Sequence, residues 1–254
     1  MVQRRPPLRR SNRRTLSQNF IHDAGVVAQM CDLLAGSSLP VLDLGAGAGA
    51  ITRELVRRGH QVTAVELDPH WASVLRRRFG GSVHVVRADM LGFTFPNEPH
   101  NVVSNVPYSI TTELLRTLLR QPAWQVAVLM VQWEVARKRA GATMLTAAWW
   151  PWYDITLVRR VPAHAFRPRP RVDSGLLRLE RRAAALLSDS DRRDYQRFVE
   201  VVFTGQGAGL GRILRRHVPR PAMLHWAREH DVDLRGLPRD LSVRQWVALY
   251  RAAA

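Results

Sequence analysis

The chain has 254 residues, with 38 Lys or Arg against 21 Asp or Glu and a formal net charge of +17. That length suits one large domain, or one and a half, with ample core, and the cationic excess points to a polyanion, nucleic acid above all, because each neutralised phosphate releases counterions. A lone Cys31 excludes an internal disulfide and a cysteine-based zinc site, and no apolar run reaches the roughly 18 residues of a membrane span. Lys138 is the only lysine, so the number of cations is a firmer signal than their identity, which genomic base composition also shapes. No apolar h-region follows Arg4-Arg5 or Arg9-Arg10, which argues against a twin-arginine signal and for a cytoplasmic protein.

Residues 1–14 carry Arg4, Arg5, Arg9, Arg10, Arg13 and Arg14 among prolines and polar residues. This composition reads as a basic arm that orders on nucleic acid, a solvated tail being the bland alternative. Leu16-Ser17-Gln18-Asn19-Phe20-Ile21 follows, and then a helix with Val26, Val27, Met30, Leu33 and Leu34 on one stripe.

From Val41 onward strands and helices alternate, the pattern of an α/β domain. Val41-Leu42-Asp43-Leu44 is a buried strand running into Gly45-Ala46-Gly47-Ala48-Gly49, with Ile51, Leu55 and Val56 opening a helix. Glycines at such a junction let backbone N–H groups and a helix N-terminus approach a ligand closely. The second strand, Gln61 to Leu67, brings Glu66 about 20 residues beyond the loop, where a carboxylate can take two ribose hydroxyls. The third, Val83 to Arg87, leads to Asp89, either an acceptor for an adenine amino group or an ordinary loop acid. The fourth, Asn101-Val102-Val103-Ser104, delivers Asn105-Val106-Pro107-Tyr108.

Pro107 ends that strand and holds Val106 extended. A carboxamide, a free backbone carbonyl and an aromatic face then stand together at a strand's C-terminal end, where open α/β sheets handle ligands. Asn105 and the Val106 carbonyl can accept the N–H bonds of an amino group on a planar base while Tyr108 stacks on the ring. Gly45, Gly47 and Ala50 also satisfy the weak dinucleotide pattern G-x-G-x-x-G/A. The bulky Asn-Pro-Tyr end of the fourth strand fits S-adenosylmethionine better, its adenosine spanning Glu66 and Asp89 and its methyl facing Asn105.

Ile110, Leu114, Leu115 and Leu118 describe a helix packed on the sheet, and Val126 to Val131 a fifth strand. Trp149, Trp150 and Trp152 read as core or sheet-face residues rather than a base-stacking platform. Ile155–Val158 and Leu176–Leu179 pair as a hairpin closing around Phe166 through Ser174, which places Phe166 to cap the second face of a base held on Tyr108. Arg181 to Asp191 marks a linker. Beyond it Tyr195, Phe198, Val199, Val202 and Phe203 fall at helical spacing. Pro221 suits a first turn, and Ser242 with Gln245 makes a capping box. Arg212, Arg215 and Arg216, after a flexible Gly205–Gly211 segment, offer phosphate contacts or a solvated face.

Taken together, residues 16–21, Asp43 through Gly49, Glu66, Asp89, Asn105 through Tyr108 and Phe166 through Ser174 resemble the rRNA adenine N6-methyltransferases. Within them the likeness is to the Erm family of macrolide-resistance enzymes. It covers essentially residues 14–180, and the helical tail agrees in kind. The resemblance implies a Rossmann-like S-adenosylmethionine-dependent methyltransferase sheet with a small C-terminal α-helical domain, divided into a basic arm at 1–14, a catalytic domain at 15–180 and a helical RNA-binding domain at 189–254. It implies Asn19 and Ile21 lining the cofactor pocket, Gly45 and Gly47 beneath the cofactor, Glu66 on the ribose, Asp89 on the adenine amino group and Asn105 beside the methyl. The Asp43 position is often Glu in this family, and the shorter acid is expected still to accept from the methionine ammonium. The implied substrate is 23S rRNA, met by a monomer at a single-stranded or flipped-out adenine, with one or two methyls added and no metal or membrane involved.

The housekeeping relative that dimethylates two adjacent adenines near the small-subunit rRNA 3′ end shares almost the same motifs. The Trp-rich Met130–Trp152 region and the Ser17-Gln18-Asn19 form look more like the resistance branch. A non-catalytic RNA-binding protein on this fold and an NAD-linked oxidoreductase are the alternatives from other classes.

Overall fold

The computed structural model describes residues 19–253, so the arginines of the proposed basic arm and Leu16-Ser17-Gln18 lie outside the described residues. The elements run in chain order as β1 (Phe20–Ile21), α1 (Ala24–Asp32), β2 (Val41–Leu44), α2 (Ala50–Arg57), β3 (Val62–Glu66), α3 (Pro69–Phe79), β4 (Val83–Arg87) and β5 (His100–Asn105). Then come α4 (Thr111–Arg120), β6 (Trp124–Gln132), α5 (Trp133–Ala140), α6 (Met144–Ala147), β7 (Tyr153–Val161), β8 (Phe166–Arg167) and β9 (Ser174–Arg181). The helices α7 (Arg192–Thr204), α8 (Leu210–Leu214), α9 (Arg220–Glu229) and α10 (Val243–Ala253) complete the described chain.

Seven strands form one sheet in the order β4-β3-β2-β5-β6-β9-β7. The first five are mutually parallel, and β9 inserts antiparallel between β6 and β7. The expected hairpin is present, with Ile155 opposite Leu179 and Leu157 opposite Leu177. All four residues of β2 are buried, Asp43 with its three apolar neighbours, as befits a central parallel strand covered on both faces. Successive side chains feed opposite layers. Val41, Val103 and Val128 join the helix α1–α3 side with Met30, Leu55 and Leu75. Leu42, Val102 and Leu129 join the α4 side with Leu114 and Leu118.

The C-terminal helices extend that second layer. Tyr195 on α7 is fully buried and donates its hydroxyl to the Ala147 carbonyl at 3.0 Å, and its ring meets Trp152 edge-on at 5.8 Å. Trp152 is 2% exposed, which bears out its reading as core. The apolar spacing along α7 is also as expected, with Tyr195, Val199 and Val202 buried. Ser242 and Gln245 bond reciprocally at the head of α10.

Two expectations need correction. The linker begins only after Arg181, which belongs to β9, and it is pinned: Leu186 N donates to Pro151 O at 2.8 Å and Arg182 Nε to Trp150 O at 2.9 Å. The glycines of Gly205–Gly211 serve close packing rather than flexibility. Leu210 and Gly211 donate to the carbonyls of Gly236 and Leu234, and a Cβ on Gly209, at φ +86°, would lie 2.8 Å from the Arg235 carbonyl oxygen. Among the described residues no helix is long and apolar enough to cross a membrane.

Gly175 seats α5 on β9: a Cβ there would stand 2.3 Å from Ala136 Cβ and 3.3 Å from the Trp133 ring. Gly175→Ala should therefore cost about 1–3 kcal/mol, read as a lower urea midpoint at unchanged slope. Unaltered stability would contradict this packing.

Candidate active site

Because β2 to β5 run parallel, Gly45, Glu66, Ala88-Asp89 and Asn105 all emerge at one edge of the sheet. The strand order sets them out in space as Asp89, Glu66, the glycine loop and Asn105. The chain winds from β2 outward to β4 and then returns to β5 on β2's other side, which makes the gap between Gly45 and Asn105 the topological switch point. A cleft opens there with about 1020 Å³ of empty space, its mouth included, and all of these residues line it. Three strand spacings of about 4.8 Å separate its ends, so it accepts an extended ligand of roughly 14 Å.

The glycine loop is shaped by conformations that side chains rarely adopt. Gly45, Gly47 and Gly49 have φ of +73°, +52° and +80°, and a Cβ on Gly45 would lie 2.6 Å from Met90 Cε. Glu66, only 3% exposed, ties the loop to the next strand: its oxygens accept from Gly47 N at 2.7 Å and Asp68 N at 2.8 Å. Each carboxylate oxygen has a second lone pair, so these bonds fix the group while leaving it able to accept from a ligand. Asp89 is exposed and accepts from Leu91 N at 3.0 Å through Oδ1. It is therefore both the loop acid and a cleft-lining acceptor.

Asn105 closes the other end. Its Nδ2 donates to the Asn19 carbonyl at 2.7 Å. A carbonyl can only accept, so this contact assigns the amide orientation and leaves Oδ1 without a hydrogen bond among the described residues. Val106 N donates to Met130 O at 3.0 Å, while the Val106 carbonyl has no donor among them. Tyr108 lines the cleft with its hydroxyl 2.7 Å from Ser174 Oγ. Burial raises its phenol above the ordinary value, so it offers a ring face rather than a base.

Asn19, Ile21, Gly45, Gly47, Glu66, Asp89 and Asn105 through Tyr108 thus come together as expected. Two residues do not. Phe166 is 2% exposed, lies opposite Ile21 in the β1–β8 pair and joins the core with Val161 and Ala165. It supports the strand over the cleft and has no face left for a base. Asp43 is 1% exposed and does not line the cleft; its Oδ2 accepts from Thr52 Oγ1 at 2.5 Å on α2, and its Oδ1 has no partner among the described residues. In the structure it ties β2 to α2, behind the cleft wall rather than on it. The sequence reading assigned no role to the apolar walls, Phe20, Leu67 and Met90 among them. Each adjoins an assigned polar residue (Asn19, Glu66 and Asp89), and that adjacency was the available signal.

Burial lifts the Asp43 carboxyl from 3.8 to about 7; the Thr52 hydrogen bond opposes this and the Glu66 charge adds to it. A carboxyl that holds its proton more tightly folded than unfolded stabilises the protein at low pH and loses that contribution as pH rises towards the folded value. Asp43→Asn, which can still accept from Thr52, should remove a slope of about 1.4 kcal/mol per pH unit. Urea unfolding of both proteins from about pH 5 to about pH 8 reads this; parallel stability curves would contradict it.

A family model for ribosomal RNA adenine dimethylase matches residues 9–254. The chain is 52% identical over 243 residues to the mycinamicin-resistance protein MyrB of Micromonospora griseorubida, covering 94% of this chain and 78% of that protein. It is 42% identical to an rRNA adenine N-6-methyltransferase of Corynebacterium diphtheriae, over 78% of this chain and 80% of the relative. Its fold superposes on the crystal structure of the 23S rRNA methyltransferase ErmE with a TM-score of 0.87 at 34% identity, covering 92% and 99% of the two chains. The expected α/β methyltransferase fold and the resemblance to resistance enzymes are both borne out: the chain belongs to the ribosomal RNA adenine dimethylase family and, within it, to the Erm-type rRNA adenine N6-methyltransferases.

Proposed function

We propose that this chain methylates N6 of an adenine in 23S rRNA with S-adenosylmethionine as donor, and so confers resistance to macrolide-type antibiotics. The observation that carries this reading is the pair of acceptors at the switch point, Asn105 Oδ1 and the Val106 carbonyl, both without donors among the described residues. The adenine amino group has two protons and a lone pair delocalised into its ring. Two fixed acceptors can receive hydrogen bonds from both N–H groups and draw the nitrogen towards tetrahedral geometry, an arrangement that is worth most in the transition state. Tyr108 offers its ring to a base turned out of its RNA.

The donor suits the remaining residues. Positive-φ glycines leave room for a ligand to approach backbone at Gly45 and Gly47, Glu66 holds acceptors for a ribose diol, and Asp89 keeps Oδ2 for an adenine amino group between the apolar Leu67 and Met90. Asn19 and Ile21 wall the opposite side. When bound, S-adenosylmethionine supplies a methyl on a good leaving group, so the chain's task is orientation rather than strong base catalysis. None of the described residues forms a cluster suited to a metal ion.

Residues 15–180 would form the catalytic unit and 189–254 a helical RNA-binding unit. Arg212, Arg215 and Arg216 are exposed and enter no ion pair among the described residues, which supports phosphate contacts there. The basic arm, Arg4, Arg5, Arg9, Arg10, Arg13 and Arg14, would add to them.

Expression in a macrolide-sensitive bacterium, with primer extension on 23S RNA, tests the reading. Resistance and a modified adenine are expected; unchanged sensitivity with methylation confined to 16S RNA would contradict it. Two variants separate the roles of site and core. Asn105→Ala should still bind S-adenosylhomocysteine while turnover falls at least about 100-fold; near-normal turnover would remove Asn105 from the mechanism. Phe166→Leu should lose about 1 kcal/mol of stability with turnover within a few fold, and a turnover loss at unchanged stability would restore Phe166 to the base.

A further inference from the structure

The residues that cross the cleft form a strap. β1 pairs with β8 through Phe20 opposite Arg167 and Ile21 opposite Phe166, and His22 N donates to Ala165 O at 3.0 Å. On its other side the strap meets the sheet through Asn19, whose carbonyl holds Asn105 Nδ2. The strap is firmly held at its Ile21 end, where Ile21 is buried in the core and His22 N and Asp23 N both donate to Ala165 O. Nearer Asn19, the backbone is held among the described residues by the Phe20–Arg167 pairing and the Asn105 bond.

A third anchor lies at Phe20. Its ring rests against the glycine loop so closely that a Cβ on Gly47 would come within 2.8 Å of Phe20 Cε1. The ring then reaches Trp71 on α3, with centroids 5.1 Å apart and planes tilted by 59°. Trp71 stands in the first turn of α3, which Asp68 caps by accepting from His70 N at 2.8 Å. Asp68 N in turn donates to Glu66 Oε1. The indole is therefore seated on a turn tied to the Glu66 carboxylate, and His70 packs edge-on against its ring at 5.0 Å. Trp71 itself does not line the cleft, and the sequence reading gave it no role.

We propose that Trp71 is a positioning residue for the methyl donor: it holds Phe20 down on the glycine loop, and through Phe20 it keeps the Asn19–Ile21 strap closed over the bound nucleoside. The inference rests on the cleft being the S-adenosylmethionine site. An aromatic pair of this geometry contributes enough to matter for ligand retention, and it acts at the Phe20 end of the strap, beside the glycine loop. The strap's Asn19 carbonyl also orients Asn105, so the ring pair and the catalytic carboxamide are two ends of one short segment.

The test compares the full-length protein with Trp71→Ala, Trp71→Phe and Phe20→Leu. Calorimetric binding of S-adenosylhomocysteine, the KM for S-adenosylmethionine, kcat and Tm are measured for each. Trp71→Ala should weaken S-adenosylhomocysteine binding and raise the donor KM about two- to tenfold, with the KM for RNA unchanged. At donor saturation the bound nucleoside itself holds the strap, and so the Asn19–Asn105 bond, in place, and kcat should stay within about twofold. Trp71→Phe should restore most of the affinity. Phe20→Leu should weaken binding to a similar degree, and the double variant should cost less than the two single changes together, as coupled neighbours do. Unchanged donor binding in Trp71→Ala, strictly additive losses in the double variant, or a loss of kcat and both KM values that follows a falling Tm would each overturn the inference. Failure of the wild-type protein to bind S-adenosylhomocysteine would instead overturn the donor assignment beneath it.

Discussion

A hydrogen bond from Asn105 Nδ2 to the Asn19 carbonyl decides which end of a carboxamide faces the cleft. With Nδ2 held, Oδ1 is the atom presented to whatever lies between Asn105 and the glycine loop. The reverse orientation would set two oxygens against each other and offer a donor where the proposed reaction calls for an acceptor. The neighbouring Val106 carbonyl has no donor among the described residues because Pro107 keeps the backbone from turning into a helix at that point. Acceptors fixed before the substrate arrives need no reorganisation during the reaction, which is why such groups contribute so much to rate.

That arrangement depends in turn on the parallel sheet. Parallel strands deliver all their C-terminal ends to one edge, and the reversal of winding between β2 and β5 leaves a crevice there that no crossover helix fills. The same topology spaces Asp89, Glu66, Gly45 and Asn105 along one edge, an order that suits the proposed donor, a nucleoside with an amino-acid tail. Antiparallel β9 and β7 then extend the sheet on the far side, where Ser174 at the head of β9 holds the Tyr108 hydroxyl. The helical tail closes the second layer through Tyr195, Trp152 and Trp246.

Local features were legible in the sequence wherever one residue type answers one physical need. The glycine loop at Gly45–Gly49, Pro107 after a strand, the alternation of strands and helices from Val41 and the Ser242–Gln245 cap were all read at the correct places. Asn19, Glu66, Asp89 and Asn105 are brought to one cleft by topology, which the family resemblance implied and local spacing alone did not. Phe166 and Asp43 were misread for a common reason: a polar or aromatic residue beside a motif looks functional until its burial is known, and burial is a tertiary quantity. Phe166 faces the core because pairing with β1 points it there, and Asp43 alternates inward along β2 towards Thr52. Trp71 was invisible because its partner, Phe20, lies some fifty residues earlier in the sequence. Gly205–Gly211 failed in the opposite sense, since glycine signals close approach as readily as freedom.

The most direct measurement is a crystal structure of the complex with S-adenosylhomocysteine. The adenine should lie at the Asp89 end of the cleft, the ribose on Glu66, and the sulfur at the Asn105 end, with Nδ2 still on the Asn19 carbonyl and Oδ1 turned towards the sulfur. A ligand bound in the reverse direction, a sulfur remote from Asn105, or a carboxamide turned over with its oxygen towards Asn19 would contradict the account.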